Sequence, residues 1–141
     1  MIIVSFGYTA EALKAGAKTC TRREWKPEYA RRFGPGTRFQ AYDKSPRYGG
    51  KKIGVYEVVS ISQEHIGSMP DTDFEEEGFA WYDAQPSRLP QSGWIREGYE
   101  KALLNTYVRF CVFTPMWIVF LAWRRSGRTY WVLRFREAPR G

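Results

Sequence analysis

The 141 residues are 43% hydrophobic and 17% aromatic, a composition that excludes intrinsic disorder and gives length for one domain with one real core. A formal net charge of +7 makes a polyanion or an anionic small molecule a fair partner, with solubility as the plainer reading. Two cysteines, Cys20 and Cys111, form no spaced pair and suggest a reducing, cytoplasmic setting, while His65 as the lone histidine argues against a zinc site. No secretory signal is expected, because Met1 to Phe6 is short and runs into polar residues. The most apolar run, Cys111 to Trp123, contains Pro115 and falls well below the about 20 residues of a membrane span. It reads as core, with no membrane partner.

In chain order, Ile2 to Phe6 is a β-branched run and predicts a first strand. Thr9 predicts an N-cap for a helix over Ala10 to Ala15, with Gly16 just past its end. The basic stretch Ala17 to Trp25 follows, and the rest of the chain is organised around it. If it is extended, Thr19, Thr21 and Arg23 share one face, with Lys18, Cys20 and Arg22 on the other. If it bends out of the helix, Lys18 and Thr21 converge instead. A basic group beside a hydroxyl is the minimum for activating that hydroxyl or a water. A solvated basic turn is the competing reading.

Lys26 to Arg32 mixes basic and aromatic residues, and Gly34-Pro35-Gly36 predicts a hard turn. Thr37 to Tyr42 and Ile53 to Ile61 predict an antiparallel strand pair. The loop between them carries Lys44, Arg47, Tyr48, Lys51 and Lys52, either a solvated hairpin tip or a surface for phosphates and stacked bases. Thr72 and Glu75 fit a capping box opening an acidic helix. At about 100° per residue, Phe74, Gly78 and Trp81 form a stripe, and Glu77 lies nearer its middle than Glu75 or Glu76. Glu77 is then the acid drawn inward; three solvated glutamates supporting the helix start are the alternative.

Gln85 to Gly93 reads as a linker within the domain, and Trp94 to about Asn105 as a helix. Tyr107 to Phe113 is ambiguous. Thr114, Pro115, Arg124, Arg125 and Gly127 punctuate a further helix, apolar all round, which must be buried by its own domain or by a second copy. Thr129 to Phe135 predicts the closing strand, and Ala138 to Gly141 a short tail.

The helix ending at Gly16, the run Lys18-Thr19-x-Thr21-x-Arg23, the two-strand unit, Glu77-Gly78-Phe79 and the terminal Trp131-Val132-x-x-Phe135 together resemble the ASCH family. The resemblance covers roughly residues 1–82 and 129–137. It implies an α+β fold of the PUA-like type, a small mixed or antiparallel β-barrel with flanking helices, as a single domain over 1–141. The segment at about 86–127 is then an elaboration containing the apolar helix.

Two functional classes follow from the resemblance. One is RNA binding, with ribonuclease activity attributed to some members. The other is an amidohydrolase that removes the acyl group from N4-acylcytidines without metal or cofactor. In that type a Lys, a Thr three residues later and a Glu on the following helix form the catalytic set, which falls on Lys18, Thr21 and Glu77. Arg23, Arg22 and Thr19 fall to substrate binding. The implied partner is a nucleoside, with RNA on the basic surface and a homodimer through the apolar helix as further expectations. The location expected is cytoplasmic.

Overall fold

The structure, a computed structural model, describes residues 1–139. The last two residues of the expected tail, Arg140 and Gly141, lie outside the described residues. The chain is a mixed α+β fold in which a five-stranded sheet curls into half a barrel and helices pack against it. The strands are β1 (Ile2–Ser5), β2 (Cys20–Arg23), β3 (Arg38–Tyr42), β4 (Lys52–His65) and β5 (Thr129–Glu137), in spatial order β1-β3-β4-β5-β2. Only β1 and β3 run parallel.

The curl comes from β4. This strand is longer than the expected Ile53 to Ile61, because its first half pairs with β3 and its second half with β5. Both neighbours pair with Tyr56 and Glu57, and just beyond them the β5 pairing has a bulge between Val58 and Ser60; bulges bend a strand and increase its twist. Curling brings the outer strands β1 and β2 within reach of one side chain: Arg23 on β2 donates from Nη2 to the Ser5 carbonyl at 2.7 Å. That gap between edges is where the candidate site forms.

Inside the half-barrel, Phe6, Phe33, Phe39 and Phe135 are fully buried. Phe39 is the hub, with ring centroids 5.6 Å from Phe135 and 5.9 Å from Tyr56. Thr21 pairs with Leu133 across β2 and β5, so Thr21 and Arg23 belong to this inner face. Cys20 and Arg22 belong to the opposite face, with Val132 and Arg134. The extended reading of the basic stretch therefore holds from Cys20 to Arg23.

The helices are α1 (Ala10–Lys14), α2 (Pro27–Ala30), α3 (Asp73–Glu76), α4 (Phe79–Ala84), α5 (Trp94–Leu103), α6 (Thr106–Arg109) and α7 (Pro115–Arg124). Thr9 precedes α1 but makes no side-chain cap bond. The expected acidic helix is two short ones, because Gly78 between them takes φ +92. Thr72 makes no side-chain cap either, so the capping box does not form. The ambiguous Tyr107 to Phe113 begins within α6 and runs on as turns.

The apolar helix α7 starts where expected, with Thr114 Oγ1 accepting from Trp117 N. Its own chain covers one face of it, and Ala122 on another face is exposed. Met116, Val119 and Phe120 are buried against Phe79, Tyr82 and Ile95 in a second core, while Trp117 and Trp123 are half-buried around it. Among the described residues no helix is long and apolar enough to cross a membrane.

Candidate functional site

Gly78 is the residue that delivers Glu77. A Cβ at position 78 would stand 2.8 Å from Ala12 Cβ, inside the closest approach of real side chains, and 3.4 Å from Lys18 Cβ. Only glycine combines that contact with φ +92 at low cost. The turn between α3 and α4 therefore lies directly on the chain leaving α1, and the side chains of Lys18 and Glu77 meet. Lys18 Nζ donates to Glu77 Oε1 at 2.8 Å and to the Glu77 carbonyl at 3.0 Å. Both residues are buried, at 3% and 2% exposure.

Glu77 has a second cation. Arg22 Nη1 donates to Glu77 Oε2 at 2.8 Å, and Arg22 Nη2 reaches Glu64 and Asp73. Asp73 in turn accepts from Arg134, which also holds Glu76 at 2.9 Å. Strands β2, β4 and β5 thus supply Arg22, Glu64 and Arg134, and the α3 turn supplies Asp73, Glu76 and Glu77. A buried charge is tolerated only when it is paired and hydrogen-bonded, and this network meets that condition for nearly every atom. The exception is Arg22 Nε, buried without a partner.

The electrostatics follow. Burial pulls the Arg22 guanidinium down, but the carboxylates of Glu77, Glu64 and Asp73 overcome it and hold Arg22 above its ordinary value. Burial, reinforced by Glu77, pushes the Cys20 thiol far up, so Cys20 stays protonated and inert beside Glu77 Oε2. Arg23 differs from both. Burial lowers it to about 10, and its recorded partners are neutral oxygens, Thr21 Oγ1 at 3.1 Å and the Ser5 carbonyl. It remains a cation at neutral pH without a carboxylate partner among the described residues.

Five of the six residues expected at the site come together. Lys18, Thr21, Arg22, Arg23 and Glu77 all line one cavity of about 280 Å³. Thr21 and Arg23 reach it from the inner face of the sheet, and Glu77 comes from the helical side of β2. Thr19 does not join them. It is exposed, and its backbone is used in holding the fold, with N–H to the Glu76 carbonyl and carbonyl to Phe135 N. Arg22 is present but occupied: both Nη atoms are bound to carboxylates, so its first role is to hold Glu77.

Two sets of residues at the site carried no expectation from the sequence: Asp73, Glu64 and Arg134 in the ion network, and the apolar wall. Asp73 lies four residues before Glu77, a spacing that puts both on one side of a helical turn, and this was a usable signal. Glu64 lay beyond the expected end of β4, so nothing marked it. The apolar side of the cavity, including Phe79, Trp94 and Trp123, is assembled from segments far apart in sequence.

The fold is a curled, mixed five-stranded sheet with helices packed against it. It is similar to the crystal structure of protein EF3133 from Enterococcus faecalis V583, of the family DUF984. The TM-score is 0.50 over 98% of this chain and 81% of that one, at 11% identity, which is a likeness of fold alone. No family model matches the sequence, nor does any curated protein.

Proposed function

We propose that the protein is a PUA-like, metal-independent amidohydrolase that removes the acyl group from N4-acylated cytosine nucleosides, with Lys18, Thr21 and Glu77 as its catalytic set. The observation that carries this reading is the convergence of an amine, a hydroxyl and a carboxylate on one cavity, with Lys18 Nζ 2.8 Å from Glu77 Oε1. Amide hydrolysis needs a nucleophile, a proton acceptor and a donor to the leaving amine. Lys18 first passes a proton to the Glu77 carboxylate at 2.8 Å, and the amine so formed takes the Thr21 proton as Thr21 Oγ1 attacks the acyl carbon. The C–N4 bond breaks as the Lys18–Glu77 pair returns a proton to N4, releasing cytidine. Water then cleaves the Thr21 ester by the same relay in reverse, freeing the acid.

The remaining contacts suit these roles. Lys18 spends two of its three N–H donors on Glu77, leaving one for a ligand. Thr21 Oγ1 accepts from Arg23 Nε, so its own hydrogen is free to be given up. Arg23, a cation bonded only to neutral groups, suits the O2 carbonyl of the base. Arg22 serves by fixing Glu77 from the other side.

The test is incubation of purified protein with N4-acetylcytidine. Release of cytidine and acetate is expected. One observation favours a second reading, an RNA-binding module. The loop between β3 and β4 and the first residue of β4 expose Lys44, Arg47, Tyr48, Lys51 and Lys52, with Tyr48 72% exposed. Absence of turnover, combined with RNA affinity that falls steeply as salt rises, would select that module instead.

A further inference from the structure

The carbon side of the cavity comes from elements other than those that supply its polar groups. Trp94 and Ile95 open α5, Trp123 lies near the end of α7, and Phe79 opens α4. Trp123 is fixed: it stacks on Phe79 with centroids 5.6 Å and planes 19° apart, and its Nε1–H is spent on Tyr130 Oη at 3.1 Å. Its ring offers carbon to a ligand and no free donor. Trp94 leans on Trp123 at 5.3 Å and stands at the mouth, 40% exposed. Tyr8 borders the same mouth, pressed against Gly93, where a Cβ would sit 2.3 Å from the tyrosine ring. Trp94 and Trp123 also border an adjoining hollow of about 490 Å³, lined in addition by Arg22, Arg23, Glu24, Arg128 and Tyr130, so space continues past the wall towards charged groups.

We infer that the Trp94–Trp123 wall is an acyl-group pocket, and that the preferred substrates carry bulky apolar acyl groups, aromatic ones above all, on the amide nitrogen. The inference rests on the hydrolase reading above. It follows from the cavity's two unlike sides. With the scissile amide at Thr21 and Lys18, one substituent must face Arg23 and the other the indoles. Cytosine has a polar edge, and placing that edge against carbon would strip its water without replacement. Arg23 supplies donors that match it. The acyl group has no polar atom beyond its carbonyl, so it takes the indole side, where a flat ring gains both buried area and ring–ring contact. An acetyl group leaves most of that wall unfilled.

A direct comparison of N4-benzoylcytidine with N4-acetylcytidine tests this. One methylene in an apolar pocket is worth about 10–200-fold in kcat/KM, so a benzoyl group should be preferred by at least about 10-fold. Trp94→Ala should bring that ratio towards one, and Trp94→Phe, which keeps a ring, should retain part of it. Thermal melting by circular dichroism verifies that both variants fold. Inhibition of the wild-type enzyme by benzamide over acetamide gives a reading that needs no variant.

Benzoyl preference lost in Trp94→Ala supports the pocket. Acetyl turned over as well as or better than benzoyl overturns the inference and leaves the hydrolase standing. A benzoyl preference untouched in a folded Trp94→Ala overturns the assignment of the wall. Turnover of neither substrate overturns the hydrolase reading and this inference with it.

Discussion

At the scale of single residues, Glu77 is placed between two cations, and that governs how its role is tested. Glu77→Ala would leave Lys18 and Arg22 buried without their shared carboxylate, a loss of about 3–5 kcal/mol by the usual cost of breaking a buried pair. Glu77→Gln keeps the shape and removes the charge, and is the informative change. Lys18→Ala, Thr21→Ala and Glu77→Gln should each lower cytidine release by at least about 10²-fold, the scale of lost acid–base help. Because the three groups act as one relay, any pair of changes should add little to the worse single one. Glu75→Ala is the control: Glu75 is exposed, outside the network, and should turn over substrate at the wild-type rate. Chromatography of released cytidine reads all of these, and full activity in the three relay variants would remove the catalytic set.

At the scale of elements, much of the chain was legible because punctuation and periodicity act locally. Thr114-Pro115 starts α7 as its sequence says, and Gly34-Pro35-Gly36 turns the chain, with Gly36 at φ +87. The length of β4 was not legible. Its second half reads as a polar run, Ser62-Gln63-Glu64-His65, and is a strand because β5 pairs with it. The α3–α4 break was visible as Gly78 but was read as part of a helical stripe, since nothing local says that Ala12 will lie 2.8 Å from its absent Cβ. Glu77 still points inward because it precedes the break, where the phase of the first turn holds. That break yields a prediction. Gly78→Ala must either adopt φ +92 or push α1 away, so it should destabilise the fold by about 1–3 kcal/mol. It should also cut turnover, because Lys18 and Glu77 meet across the same contact. Urea titration and the cytidine assay on one sample separate the two effects. A variant with wild-type stability would mean that the close approach is not needed.

At the scale of the molecule, the described residues form two apolar cores, one inside the half-barrel and one between the helices and the sheet, and the buried ions lie where the α3 turn meets the strands. The site could be foreseen where a motif carried it, at Lys18, Thr21 and Glu77. Of the residues that lock it, Asp73 could be reached from its spacing to Glu77, whereas Glu64 and Arg134 could not be gathered without the sheet's register. Asp73 is central to that lock, and its titration gives a prediction for the fold as a whole. Burial raises its carboxyl, but the bonds from Arg134 and Arg22 outweigh burial and hold it below the ordinary carboxylate value. A depressed folded-state value contributes stability that is present above the unfolded value of about 3.9 and is lost as pH falls through the folded one. Glu76, raised chiefly by its hydrogen bond with Asp73, works in the opposite sense, and the two titrate as a pair through Arg134. Unfolding free energy from urea titrations should therefore hold steady from pH 7 to about pH 5 and fall below about pH 4. In Asp73→Asn the protein should be less stable at pH 7, by about 3–5 kcal/mol for a broken buried pair, and its further decline in acid should be shallower. A parallel decline in wild type and variant would place the acid-sensitive group elsewhere and remove Asp73 as the pin between the α3 turn and the sheet.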